Sequence, residues 1–197
     1  MVFESFSPVA PMPESTVQTF GPRVPPEIVQ AWRGHGIGFV GDGYFRLVDP
    51  ARAQAMLGGL SPAGGVGAVL FTTAMADLIV YANGMFLVVK ARLGQIHPTS
   101  VSFEQVVALM ADTPGQRDAV WDWQPYPSVR DRLGVPAFED CFMHVPLLAA
   151  GGRGDPTTMQ TGNLWVHYAL MLQIGGPPKI THMLALPREW RSPAPAA

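Results

Sequence analysis

The dipeptide Asn83-Gly84 is the feature that most constrains the fold of this chain. It stands between two runs rich in β-branched and aromatic residues, at 78–82 and 85–92. Asn-Gly supplies the two positive φ angles that a tight hairpin turn needs. The sequence therefore predicts an antiparallel hairpin here. The apolar runs 66–73 and 93–97 extend it into a sheet of strands that are neighbours in the chain.

A second unit, between Pro25 and Gly59, precedes this sheet. Prolines at 25 and 26 open a helix whose apolar face includes Trp32, the expected core anchor, and glycine at 34 ends it. Two short strands are predicted around Asp42-Gly43. Asp49 then caps a short helix that begins at Pro50, with Ala53, Met56 and Leu57 facing inward. Residues 1–24 are expected to form an irregular arm, and residues 61–67 a glycine-rich loop.

Helices are predicted again in the second half of the chain. Ser102 and Gln105 match a capping box, and Asn163 can cap a further helix. The expected elements are helices from about 103 to 110, 113 to 123, 128 to 133 and 164 to 174, a buried strand at 143–149, and a frayed tail at 192–197. The fold class is therefore α+β, a central antiparallel sheet with helices packed on it, in two closely fused sub-domains at 1–98 and 99–197.

Charge and cysteine content narrow the function classes. The chain of 197 residues carries a net charge of −2, which argues against a general nucleic-acid binder. It has one cysteine, no basic leader segment and no apolar run of the ~18 residues that a membrane helix needs, so a cytoplasmic protein without a membrane partner is expected. Residues 104–140 hold seven acids and three bases and form the acidic part of the chain.

Motifs for catalysis or cofactor binding fail on their context. Residues 36–41 spell Gly-x-Gly-x-x-Gly, but they follow a predicted helix and precede a strand, the reverse of a dinucleotide site. The five histidines are scattered, so neither a cofactor nor a metal is expected. Cys141 and His144 lie three residues apart on a predicted strand, where they would point to opposite faces. The sequence therefore predicts a protein that is not an enzyme.

Aromatic residues bordered by carboxylates mark the candidate binding segment. Such a segment suits an interface with a basic protein, because the rings supply buried area and the charges steer association. The alternative is a helix end whose tryptophans pack inward while its acids face water. The interface candidates are Asp118, Trp121, Asp122, Trp123, Tyr126, Glu139 and Asp140.

Several of these stretches resemble a known family. Residues 31–38 and 42–50, which read AWRGHGIG and DGYFRLVDP, are similar to the GAD-like domain. Residues 132–134, 139–140, 145–152 and 166–167 resemble the C-terminal domain that commonly follows it. The run 141–144 differs, because the family usually has a tyrosine, a glycine and an aromatic residue there.

The resemblance implies an immunity protein of a bacterial type VI secretion system. Such a protein stays in the cytoplasm and binds a cognate toxin, often a DNase, by tight one-to-one association. Two alternatives stay open on the residues alone. One is an enzyme for a small ligand, with His144, Cys141 or His35 in a pocket, and the other is a sensor or scaffold domain.

Overall fold

The computed structural model describes residues 3–60, 67–99, 102–111 and 114–181. Within these ranges the chain forms ten strands and seven α-helices, and the predicted α+β class is confirmed. The strands are β1 Phe6–Ala10, β2 Ile37–Val40, β3 Phe45–Leu47, β4 Ala68–Thr73, β5 Leu78–Ala82, β6 Met85–Lys90, β7 Gln95–Thr99, β8 Asp140–Met143, β9 Gln160–Asn163 and β10 Lys179–Ile180. The helices are α1 Glu14–Phe20, α2 Pro26–His35, α3 Pro50–Leu57, α4 Phe103–Ala111, α5 Pro114–Trp121, α6 Pro125–Leu133 and α7 Leu164–Gly175.

An eight-stranded sheet forms the centre of the molecule. Its strand order is β1-β2-β3-β4-β5-β6-β7-β10, antiparallel from β1 to β7, with β10 added parallel to β7. The predicted hairpin is confirmed, because Asn83 and Gly84 have φ of 52° and 79° and Ala82 pairs with Met85. Strands β8 and β9 form a separate antiparallel pair.

Alternation along the strands divides the interior into two apolar clusters. On β5, Ile79 belongs to one cluster, while Leu78 and Val80 belong to the other. The first cluster includes side chains of α1, α2, α4, α5 and α6, and the second includes those of α3 and α7. Trp32 is 1% exposed within the first cluster, as its role as a core anchor predicts. The sheet is therefore covered on both faces, which explains why its central strands are almost wholly apolar.

The N-terminal part is more regular than the sequence suggested. The expectation of an irregular arm is wrong, because residues 6–10 form the edge strand of the sheet and residues 14–20 form α1. Helix α2 continues past Gly34 and ends at Gly36, whose φ is 73°. A side chain at Gly36 would collide with the carbonyl of Ala10, so this turn needs glycine for two reasons.

Helix α3 begins as predicted but differs on one face. The Asp49 carboxylate accepts a hydrogen bond from the Ala51 amide, which confirms the cap. Ala53 and Leu57 are buried, whereas Met56 is 48% exposed, so its predicted inward position is wrong. Most of the glycine-rich loop, residues 61–66, lies outside the described residues.

In the second half of the chain, the predicted helix caps are confirmed where the structure describes them, and one predicted strand is wrong. The Ser102 hydroxyl and Gln105 amide side chain bond each other's backbone N–H groups, and the Asn163 amide side chain accepts from Trp165 and Val166. Thr113 of the other predicted box, and the predicted tail at 192–197, lie outside the described residues. The strand predicted at 143–149 instead ends at Met143, and residues 148–150 form a 3₁₀ turn. Pro146 lacks the N–H that would continue a strand.

Candidate functional site

Trp121 lies in the core, at the end of α5, rather than on a surface. It is 1% exposed, and its ring meets Phe45 edge to face at 5.2 Å between centroids. Its indole N–H donates to the carbonyl of Leu109 at 3.1 Å, and its own carbonyl accepts from the Tyr44 hydroxyl at 2.6 Å. The polar atoms of this tryptophan are therefore used inside the protein.

Asp122 follows in the left-handed conformation, with φ of 52°, and closes an ion network. Its carboxylate accepts from Arg92 at 2.6 Å and from Lys90 at 3.0 Å, and Arg92 also bonds Asp77 through two nitrogens. Burial by itself would raise the pKa of Asp122, but Arg92 and Lys90 outweigh it and lower that pKa. The carboxylate therefore holds the second half of the chain against β6 and the turn that follows it.

Tyr126 and Glu139 also connect the two halves. The Tyr126 hydroxyl donates to the carbonyl of Asp42 at 2.9 Å, and its side chain is buried, which raises its pKa to about 12. The Glu139 carboxylate accepts from Arg52 at 2.8 Å and from the Trp165 indole at 2.6 Å. The Trp123 indole also donates to Asp42, so five of the seven predicted interface residues make contacts that join residues 1–98 to residues 99–197.

Asp118, Trp123 and Asp140 are partly exposed, as are the ion-paired Asp122 and Glu139. Asp118 and Trp123 lie together at the end of α5, where the Asp118 carboxylate accepts from the Gln124 amide at 2.8 Å. Asp140 lies on β8, paired with Asn163 of β9.

Around Trp123 the structure builds a compact polar and aromatic group, which we call the Trp123 cluster: Asp42, Arg117, Asp118 and Trp123. The Arg117 guanidinium lies over the Trp123 ring at 4.6 Å from its centroid. The Asp42 carboxylate accepts from Arg117 at 3.2 Å through one oxygen and from the Trp123 indole at 3.3 Å through the other. The ring and the guanidinium are therefore held in place while both keep some exposed surface.

A cavity of about 150 Å³ lies beside this cluster. Its lining includes Phe3 from the N-terminal segment, Val40 from β2, Met110 from α4, and Arg117. Glu4 and Ser5 line it as well, so its wall is partly polar, and its volume suits one large side chain. Partner anchors at protein interfaces occupy such pockets, with tryptophan and arginine at their rims.

The enzyme alternative rests on Cys141, His35 and His144, and the structure does not bring all three into one pocket of the described residues. Cys141 is fully buried on β8, and burial raises the pKa of its thiol to about 12, although the Arg46 guanidinium acts in the opposite direction. His35 contacts the rings of Phe3 and Phe6 near the N-terminus. A buried thiol of raised pKa is a poor nucleophile.

His144 lies with His167 at a small cavity of about 10 Å³, close to the volume that one water molecule needs. Burial lowers the pKa of His167 to about 4, helped by His144, and burial also lowers the pKa of His144. The described residues contain no group of three or more His, Cys, Asp or Glu side chains placed to hold a metal ion. None of the described helices has the length and apolar character needed to cross a membrane.

Comparison with known proteins gives a domain and a fold. Residues 2–90 match the GAD-like domain. The chain is also similar in structure to the crystal structure of Atu4351 from Agrobacterium tumefaciens, with a TM-score of 0.68 over 94% of this chain and 92% of that one. At 14% identity this likeness shows the fold alone. No curated protein matches this sequence.

The sequence did not indicate Asp42 or Arg117 as members of a site. The sequence places Asp42 in a predicted turn of the stretch that is similar to the GAD-like domain, and Arg117 in a predicted helix. They are 75 positions apart in the chain, so their pairing depends on how α5 sits against the β2–β3 turn. The only local signal was that Asp42 lies in a predicted turn directly before the aromatic residues Tyr44 and Phe45.

Proposed function

We propose that this protein is an immunity protein that binds and neutralises a cognate type VI secretion toxin, a DNase being the best candidate. The GAD-like match to residues 2–90 and the resemblance of the second half to the domain that accompanies it support this proposal. The observation that carries it in the structure is the Trp123 cluster, with the 150 Å³ cavity beside it. Together they offer an aromatic ring, an arginine and a partly apolar pocket in one place.

The cluster has the physical character of an energetic centre for protein binding. Tryptophan and arginine dominate such centres, because both bury large areas and direct hydrogen bonds. The Asp42 carboxylate fixes both groups before a partner arrives, so little side-chain entropy is lost on association. The proposed toxin interface therefore contains Asp118 and Trp123, which the sequence indicated, together with Asp42 and Arg117.

Acidic residues outside the internal ion pairs supply the steering charge. Asp122 and Glu139 are engaged with cations of the protein itself, whereas Asp118 and Asp140 are partly exposed and lack a cationic partner among the ion pairs of the described residues. A negative surface speeds encounter with a basic nuclease and makes its association rate fall with salt. The proposed complex therefore associates faster at low ionic strength.

Co-purification with an inactive form of the toxin encoded beside it tests this function. We expect the wild-type chain to hold the toxin through gel filtration, and its co-expression to restore growth to cells that make active toxin. A sensor or scaffold domain would not restore growth. Failure to form a complex would remove the proposal.

Substitutions locate the site within that experiment. We expect Trp123→Ala and Arg117→Gln each to weaken toxin binding by about 10-fold or more, the effect of losing one central anchor. Arg153→Gln, at an exposed position outside the cluster, is the matched control and should bind as wild type. If Trp123→Ala binds the toxin as tightly as wild type while substitutions elsewhere weaken binding, the proposed function stands but the interface lies at another surface.

A further inference from the structure

The small cavity between helix α7 and the segment after β8 brings together three side chains that can ligate a metal ion. We call them the His–Met cluster: His144, His167 and Met171. The thioether of Met171 adds a ligand of a kind other than His, Cys, Asp or Glu. The rest of the cavity wall is made of Leu147, Leu148, Ala149 and Arg92.

Both imidazoles of this cluster are buried and have an unused polar atom. His144 is 8% exposed and His167 is 3% exposed. The Nδ1 atom of each ring is buried and has no hydrogen-bond partner among the described residues. Because buried polar atoms are normally paired, two unpaired rings at one cavity indicate a ligand.

The fold explains why these three side chains meet. His167 and Met171 are four residues apart on α7, so they lie one turn apart on the same face of the helix. Met171 is 2% exposed on that face. His144 directly follows β8, which is held by its pairing with β9 and by the bond from the Phe142 amide to the Ala74 carbonyl.

We propose that the His–Met cluster binds a soft monovalent metal ion, Cu⁺, through the two imidazoles and the thioether. Thioether ligands select Cu⁺ among the biological metals, and imidazole also suits copper. The cavity wall contains no carboxylate, so it does not suit Ca²⁺ or Mg²⁺. Structural Zn²⁺ takes four ligands, often thiolates, and this wall offers no thiolate.

The charges around the cavity favour a single positive charge. The three ligand groups are uncharged, so a divalent ion would lose more hydration energy there than a monovalent one. Arg92 lines the cavity, but it bonds Asp77 and Asp122, and with Lys90 these groups make two cations and two carboxylates. Burial lowers the pKa of both histidines, so at neutral pH the ion displaces no proton.

A bound ion would connect two segments that otherwise meet through apolar packing. His167 and Met171 belong to α7, and His144 belongs to the segment that leads to the 3₁₀ turn at 148–150. An ion that binds only the folded chain stabilises it by mass action. Cu⁺ should therefore raise the free energy of unfolding of the full chain.

Competition with a coloured Cu⁺ chelator, under anaerobic reducing conditions and without the toxin, tests this site. We expect the full chain to take up one equivalent of Cu⁺. Met171→Leu conserves volume and should weaken the affinity at least about 10-fold, the smallest loss expected even for a residue that only supports a metal ligand. Met56→Leu, at a position 48% exposed on α3, is the matched control and should bind as wild type.

The single thiol of the chain provides the competing explanation, because Cu⁺ also binds cysteine. We expect Cys141→Ala to keep the Cu⁺ affinity of wild type. Loss of binding in Cys141→Ala, with full binding by Met171→Leu, would overturn the proposal.

Methyl resonances of ¹³C-labelled methionine test the site in the unmodified chain. Of the ten methionine signals, the one missing in Met171→Leu should shift on addition of one equivalent of Cu⁺. An unmoved Met171 signal, or no uptake of Cu⁺ by the wild-type chain, would also overturn the proposal. None of these outcomes depends on whether the chain binds a toxin.

Discussion

The acidic aromatic segment at 117–140 and helix α7 use their side chains in opposite ways. The first is rich in charge, yet its Asp122 and Glu139 form ion pairs with cations of the other half of the chain. The second has no Asp, Glu, Lys or Arg, yet it exposes three apolar side chains, Val166, Leu170 and Ile174. Composition therefore misleads in both regions about which side chains meet solvent.

The difference has a physical origin in the folded context. Lys90 and Arg92 are nearly buried at the end of β6 and in the turn after it. Buried cations need carboxylate partners, and Asp122 supplies one for both. Helix α7 lies over apolar groups and needs no charge on its buried side.

Replacing an aromatic residue of the first region should have the largest effect on stability. We expect Trp121→Ala to lower the free energy of unfolding by about 3–5 kcal/mol, because it empties a core site and leaves the Leu109 carbonyl without its donor. Val166→Ala on the outer face of α7, where this side chain is 60% exposed, should change it by less than about 1 kcal/mol. Urea unfolding followed by circular dichroism measures both, and similar losses would contradict the contrast.

Removing the charge of Asp122 should have an intermediate effect. Asp122→Asn keeps a residue that tolerates the left-handed backbone, and it takes the ion partner from the buried Lys90. We expect a loss of about 2 kcal/mol, below the value for a fully buried pair because the carboxylate is 37% exposed. Asp131→Asn, in an exposed pair with Arg130, is the control at under about 0.5 kcal/mol. Equal effects would show that Asp122 behaves as a surface charge.

Acid should weaken the packing of α7 on the 3₁₀ turn at 148–150. The pKa of His167 is about 4 in the folded protein and about 6.5 when unfolded, so the unfolded state binds its proton first as pH falls. Stability from this group is complete above pH 6.5 and is lost between about 6.5 and 4. Denaturant unfolding at several pH values should show a shallower decline in His167→Gln than in wild type. Parallel declines would mean that this histidine is not buried in its neutral form.

Local signals predicted much of the fold. Asn83-Gly84, the Asp49 cap and the Ser102–Gln105 box are statements about neighbouring residues, and each is confirmed. The edge strand at 6–10 was missed because it carries a proline and only its pairing with β2 makes it a strand. Strand β10, two residues long, is likewise defined by β7.

The candidate site was predictable only in outline. The sequence indicated the segment that contains Trp123, but not that Trp121 and Tyr126 point inward while Trp123 keeps an exposed edge. That division depends on the chain turning at Asp122, which has a positive φ and whose carboxylate bonds Arg92. Long-range pairs such as Asp42 with Arg117 leave no local pattern.

Titration calorimetry of the purified chain against an inactive form of the proposed toxin tests the central claim most directly. The account predicts saturable one-to-one binding with a Kd of about 10 nM or tighter, the range of specific protein complexes of standard size. It also predicts weaker binding by Trp123→Ala. An absence of binding heat at micromolar concentrations, at two temperatures, would contradict it.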